Sequence, residues 1–370
     1  MNAPDFKPAL ADDAAVRSRI ETTIRDDIRA LSAYPTAKAD GMIKLDAMEN
    51  PYSLPASVRA KIAAAAANIA INRYPDGSAD AVKQALREAL RLPAAAGLIL
   101  GNGSDEIIQM LTTAVAAPGA TIVSPDPSFV MYRLSAHHAR ARYVPVELHE
   151  DFSLDLTAML AAIAREKPSL VWLAYPNNPT GNAFAAAEIE TIVRAAPGVC
   201  VVDEAYYAFA TESFLPRVLD HANLVVVRTV SKIGMAGLRL GYAAGHPAWI
   251  AELEKVRPPY NVNSLTQAVV PILLDEPALL SEQAQMIRAE RSRLAAALSA
   301  IRPVTVFPTE TNFVLARVPD APVWFAALRD AGILVKNLHG WHPLLAHCLR
   351  ITVGTPAEND RLLSVLERLA

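Results

Sequence analysis

The chain has two cysteines, Cys200 and Cys348, too few for a disulfide framework. Cys200 stands inside an apolar run, so both read as buried thiols of a reducing compartment. No block of basic residues is present: 35 Lys and Arg against 38 Asp and Glu leave a formal charge of −3 at pH 7. Neither nucleic acid nor an anionic membrane is therefore expected as a partner. Long hydrophobic runs are missing as well. The longest, Ile62 to Ile71, is alanine-rich and well short of the ~20 residues of a membrane span. The N-terminus carries Asp5, Lys7, Asp12, Asp13 and Arg17 without an apolar h-region, so no signal peptide is expected. No repeat period or low-complexity segment stands out. These absences leave a soluble cytoplasmic protein as the expectation.

What is present is a large apolar fraction, 52% of 370 residues, more than one core usually serves, so two domains are expected. Val16, Ile20, Ile24, Ile28 and Leu31 fall near a period of 3.6 and predict one amphipathic helix, ended by Tyr34-Pro35. Its stripe needs cover, from a partner subunit or from its own chain. Further on, apolar runs at Leu98–Leu100, Thr121–Val123, Leu170–Leu173 and Val199–Val202 each lead into a polar loop followed by a helical pattern. That alternation predicts an α/β fold with a mainly parallel central sheet and flanking helices. From about Asn263 the pattern changes to one long helical stretch, Gln267 to Ala300. Short strands follow near Val304, Asn312, Ile333 and Leu349, interleaved with helices, as in a smaller α+β domain. The expected division is an arm over 1–44 that joins the small domain, a large domain over 45–262 and the small domain over 263–370.

Leu224-Val225-Val226-Val227 is β-branched and without alternation, as in a strand buried on both faces. It runs into Ser231-Lys232, with Arg239 seven residues beyond the lysine. Ligands of parallel sheets collect at the carboxyl ends of strands. A lysine in a dry, cationic pocket loses its proton readily and attacks carbonyls. Ser231 and Arg239 are the hydroxyl and guanidinium that a neighbouring phosphate needs. Together they suggest pyridoxal 5′-phosphate (PLP), although a lysine after a strand is commonly a solvated loop residue. Gly101-Asn102-Gly103-Ser104-Asp105 opens a helix, with Ser104 or Asp105 as the expected N-cap, and such a turn is also a ready anion site. Asp203, at the end of Val199–Val202, either caps the next helix or pairs with a pyridinium nitrogen. Tyr206 and Asn178 are placed to donate to a ring oxygen, and Phe129 to stack on the ring.

In their order along the chain these motifs resemble the fold-type I PLP aminotransferases, and the resemblance covers nearly the whole chain. It implies that Lys232 holds the cofactor covalently and carries the proton, that Asp203 pairs with the pyridine nitrogen, and that Asn178 and Tyr206 bind the ring oxygen under Phe129. It assigns the phosphate to Gly103, Ser104, Asp105, Ser231 and Arg239. No metal is implied.

Asn72-Arg73-Tyr74-Pro75-Asp76, Val256-Arg257-Pro258-Pro259-Tyr260-Asn261 and Leu349-Arg350-Ile351-Thr352-Val353-Gly354-Thr355 are similar to histidinol-phosphate aminotransferases. That narrower resemblance implies a homodimer with shared sites, Tyr74 reaching the cofactor phosphate of the other subunit. Arg350 is implied to bind the carboxylate of glutamate or the phosphate of the second substrate, with Tyr34, Asn50 and Tyr260 on the substrate side. The chain departs from the family's frequent Asn-Glu-Asn-Pro at Met48-Glu49-Asn50-Pro51, and carries Phe129 where Tyr is common. The expected reaction moves the amino group of L-histidinol phosphate to 2-oxoglutarate, in histidine biosynthesis. An aromatic amino acid aminotransferase and a related phosphate-recognising PLP decarboxylase are the alternatives.

Overall fold

The computed structural model describes residues 12–33, 37 and 39–370. The chain divides into two units, Met1–Asp40 and Gly41–Ala370. In the first, a helix over Asp13–Thr23 is followed by a one-turn helix over Asp26–Arg29. The single helix expected from the Val16–Leu31 stripe is therefore broken. Ile24 takes an extended conformation, and the acidic pair Asp26 and Asp27 opens the new turn, where carboxylates favour a helix N-terminus. Val16, Ile20, Ile24 and Leu31 are exposed.

In the second unit, β1 (Ile43–Leu45) precedes the strands of the larger sheet. These are β2 (Gly97–Asn102), β3 (Thr121–Asp126), β4 (Arg142–Glu147), β5 (Leu170–Ala174), β6 (Val199–Asp203), β7 (Leu224–Thr229) and β8 (Leu240–Gly245). Among the described residues they form a seven-stranded sheet in the order β2-β8-β7-β6-β5-β3-β4. All run parallel except β8, which is antiparallel to both neighbours. The helices that follow the strands cover both faces. Period-2 alternation divides the buried side chains between them: Val171, Leu173, Cys200 and Val202 join one apolar cluster, Leu170, Trp172, Val199 and Val201 the other. Both cysteines are buried free thiols. β4 and β8 escaped the sequence reading. One carries Pro145 and is an edge strand, and the other is built of small residues, Gly-Tyr-Ala-Ala-Gly, without a β-branched run.

A second sheet contains β1, β9 (Thr305–Val306), β10 (Phe313–Arg317), β11 (Ile333–Asn337) and β12 (Cys348–Thr352), in the order β1-β11-β12-β10-β9. β1 pairs with β11 in parallel, so residues just after the first unit are built into a sheet otherwise made near the C-terminus. Leu45, Phe313, Ile351, Leu294 and Leu362 share its core. The long helix expected over Gln267–Ala300 is two helices, Ser264–Leu274 and Pro277–Ala300. Pro277 explains the break: a proline lacks the N–H that a continuing helix requires and suits the first helical position instead.

Candidate active site

Six chain segments meet at one cavity of about 410 Å³: the carboxyl ends of β3, β5, β6 and β7, the start of the helix Ser104–Val115, and residues 46–50. Ser104, Asp105, Phe129, Asn178, Asp203, Tyr206, Ser231, Lys232 and Arg239 all line it. The parallel register explains the convergence. Ala174 pairs with Asp203 and Asp203 with Val227, so the ends of β5, β6 and β7 are nearly level.

Lys232 follows β7 on a short 3₁₀ turn, and its Nζ donates to the Ala47 carbonyl at 3.1 Å. Burial first, and then the Arg350 charge, push its pKa down to about 8, so a sizeable fraction of the amine is neutral near physiological pH. Ser231 is buried, and its N–H donates to the Thr229 hydroxyl at 3.1 Å.

The helix over Ser104–Val115 starts differently from expectation. Gly103, at φ +82, is the N-cap residue, and neither Ser104 nor Asp105 caps with its side chain. Glu106 instead reaches back to accept the Asn102 N–H at 2.7 Å. The Ser104 side chain is thereby left out of the helix cap, and Ser104 lines the cavity with Arg239. A Cβ on Gly103 would stand 2.5 Å from Arg239 Nη2, so the guanidinium lies directly against a bare backbone. Arg239 is also 3.7 Å from the Asp105 carboxylate.

Asp203 is 4% exposed. It caps no helix: Oδ1 accepts the Ala205 N–H at 3.1 Å in a turn, and Oδ2 accepts the Tyr132 hydroxyl at 2.7 Å. Burial pushes Asp203 up to about 6, against the lowering effect of those two donors. Tyr132 was not singled out from sequence. Its one local signal is the i, i+3 spacing from Phe129, which puts both rings on one side of the helix Val130–His138. Glu204 and Arg228 were also missed. They form a buried ion pair at 2.8 Å that anchors the turn after Asp203, Glu204 accepting the Phe214 N–H as well. An arginine inside the wholly buried run Leu224–Thr229 was the available signal, since a charge there demands a partner.

Arg350 is buried on β12. Nη1 donates to Asn178 Oδ1 at 2.6 Å and Nη2 to the Asp46 carbonyl at 3.0 Å, so it borders the cavity through Asn178. Lys336 stands opposite it in the β11–β12 register, a second cation whose pKa is lowered by burial and by Arg350. Residues 46–50 cross the cavity as a strap that also supplies Ala47, Met48 and Glu49 to its wall. Asn312 donates to the Met48 carbonyl at 2.9 Å, Met48 N–H donates to Thr352 Oγ1 at 3.0 Å, and Asn50 Nδ2 donates to Gln283 Oε1 at 2.8 Å. Asn50 is thus beside the cavity rather than in its wall.

Tyr74 and Tyr260 do not line the cavity. They stack on each other at 4.7 Å between ring centroids, 82% and 47% exposed. Tyr34 lies outside the described residues.

Residues 40–366 match the family described as aminotransferase class I and II. The chain belongs to that family. Its relatives include the histidinol-phosphate aminotransferase of Chromobacterium violaceum, 53% identical over 94% of this chain and 98% of that one. Histidinol-phosphate aminotransferase 1 of Ralstonia nicotianae is 53% identical over 98% of this chain and 96% of that one. Among solved structures, the histidinol-phosphate aminotransferase of Sinorhizobium meliloti in complex with pyridoxal-5′-phosphate superposes with a TM-score of 0.83 at 26% identity, covering 94% of this chain and 99% of that chain. For this aminotransferase chain the fold read from the motif order, a mainly parallel α/β sheet of the fold-type I class, is the fold observed.

Proposed function

We propose that this chain is a PLP-dependent aminotransferase that moves the amino group of L-histidinol phosphate to 2-oxoglutarate, yielding imidazole-acetol phosphate and L-glutamate in histidine biosynthesis. The observation that carries the reading is one cavity that unites a lysine of lowered pKa, a buried carboxylate and an anion cradle. The names of relatives 53% identical over nearly the full length support the substrate.

The residues present fit PLP. The volume lies within the ~300–1,000 Å³ of small-molecule sites. Ser104, Ser231, Arg239 and the backbone around Gly103 and Asp105 offer the donors a phosphate needs, at a helix N-terminus. Asp203 offers the buried negative charge that a protonated ring nitrogen needs. When bound, PLP supplies the electron sink for the charge that develops at the substrate Cα. The chain's own groups do the rest. Lys232 Nζ would hold PLP and, as a general base, would take the Cα proton. Phe129 would cover one face of the ring, and Asn178 and Tyr206 would donate to its oxygen. The strap over residues 46–50 excludes water from the Lys232 amine.

Arg350, already oriented by Asn178 and Asp46, has a planar fork that takes a carboxylate bidentately, or two oxygens of a phosphate monoester. Lys336 beside it adds charge for the dianion. Asn50 and Tyr260 complete the substrate side. Tyr74 and Tyr260, stacked and exposed, suit a homodimer in which Tyr74 serves the partner's cofactor phosphate. Residues 45–262 act as the cofactor domain and 263–370 as the smaller domain. No helix among the described residues is long and apolar enough to cross a membrane. The buried free thiols suit a reducing cytoplasm.

A panel of amino donors assayed with 2-oxoglutarate tests the reading. Losing charge-assisted hydrogen bonds costs about 1.5–3 kcal/mol each. L-histidinol phosphate should therefore exceed unphosphorylated histidinol at least about tenfold in kcat/KM, and exceed histidine, phenylalanine and tyrosine. Equal efficiency with histidinol and its phosphate would point to a general aromatic aminotransferase, and release of carbon dioxide to a decarboxylase.

A further inference from the structure

We infer that Tyr132 is a positioning residue for the cofactor, holding Asp203 as a carboxylate able to pair with the ring nitrogen. The inference rests on the reading that the cavity takes PLP.

Three observations carry it. Tyr132 is fully buried and its hydroxyl donates to Asp203 Oδ2 at 2.7 Å, between the helix Val130–His138 and the end of β6. Its ring is fixed from two sides, stacked on Trp172 at 4.6 Å and 4° and set edge-on to Phe129 at 5.6 Å and 86°. The hydroxyl therefore has little freedom to turn away, and the segment that brings Phe129 to the cavity brings the Asp203 donor as well. Finally, the two oxygens of Asp203 are only partly used. A carboxylate offers about four acceptor positions, and Tyr132 and the Ala205 N–H fill one on each oxygen. The remaining positions belong to a side chain that lines the cavity.

The charged and titratable neighbours sharpen the need for a donor. Asp105, at the start of the helix Ser104–Val115, and Glu204, next in the chain, both push Asp203 toward its neutral form, as burial does. Tyr143 and Tyr206 face Tyr132, and burial raises its own pKa well above 10. Tyr132 thus stays a protonated donor across the working pH range. A donor to the charged form opposes desolvation, and without it Asp203 would be neutral over a wider range and a poorer partner for a cationic ring.

The experiment is equilibrium dialysis of PLP from pH 5 to 8 against the native enzyme, Tyr132→Phe, Asp203→Asn and the double variant. Phenylalanine keeps the ring contacts and removes only the donor. The ionisation of the PLP phosphate is common to all four proteins and cancels between them. Tyr132→Phe should weaken PLP about tenfold near neutral pH and move the acid-side loss of affinity up by about one pH unit. In the Asp203→Asn background the same change should be nearly silent, because Tyr132 acts through that carboxylate. Tyr132→His returns an N–H donor and carries the test should Tyr132→Phe not fold; its acid-side loss should sit at or below the native pH. An unmoved profile in Tyr132→Phe, one moved up in Tyr132→His, or an equal loss with and without Asp203 would overturn the inference. Failure of the native enzyme to bind PLP would instead overturn the reading beneath it.

Discussion

Lys232 carries a measurable signature in the protein without cofactor. Its pKa is about 8 in the fold, where burial and Arg350 disfavour its charge, against 10.5 in an unfolded chain. Between those values the unfolded state binds more protons, so this group's contribution to stability rises as the pH climbs from 8 to 10.5. Below pH 8 the charged amine is held at a penalty of about 3 kcal/mol, from a shift of about 2.5 pH units at about 1.4 kcal/mol per unit. Lys232→Met should therefore stabilise the apo-protein by that order at pH 7 and by much less near pH 10.5. It should also abolish transamination. Urea unfolding of the two apo-proteins at both pH values checks this, and a gain that does not shrink with pH would argue against a charged, buried amine.

At the scale of elements, the helix start at Ser104 depends on one backbone conformation. Gly103 sits at φ +82 and ψ 163, a region essentially reserved for glycine. Its missing side chain is also the space that Arg239 occupies. Gly103→Ala should thus act twice. Backbone strain should destabilise the protein by about 1–3 kcal/mol, and displacement of Arg239 should weaken the anion cradle. Denaturant midpoints and PLP affinity measure the two effects separately. A variant with native PLP affinity would show that the contact between Gly103 and Arg239 has no part in holding the phosphate.

For the whole molecule, the prediction concerns assembly. Tyr74, 82% exposed and stacked on Tyr260, makes little sense as core in a single subunit. Mixing inactive Lys232→Ala with a weak Tyr74→Ala variant should regenerate activity, because one site of each heterodimer then has a native Lys232 and a native Tyr74 from opposite subunits. Subunit exchange is verified first by native mass spectrometry with tagged chains. Exchange without recovered activity would mean that each subunit completes its own site.

Much of this protein is local enough to be written in its sequence. Buried parallel strands need unbroken apolar runs, and β5, β6 and β7 announce themselves as Leu-Val-Trp-Leu, Val-Cys-Val-Val and Leu-Val-Val-Val. The residues at or just past their ends, Asn178, Asp203 and Lys232, were legible as candidates because a parallel sheet delivers such positions to one edge. Caps and breaks were less legible. Whether Ser104 or Gly103 opens a helix depends on a carboxylate two residues beyond, and the break at Pro277 was hidden by a continuous helical pattern. Contacts between segments far apart in sequence were not legible at all. The hydrogen bond from Tyr132 to Asp203 spans 71 positions, and that from Arg350 to Asp46 spans 304. No periodicity encodes such a pair. Each side chain is aimed by its own element, and only the packing of the elements decides which polar groups, once stripped of water, must satisfy one another.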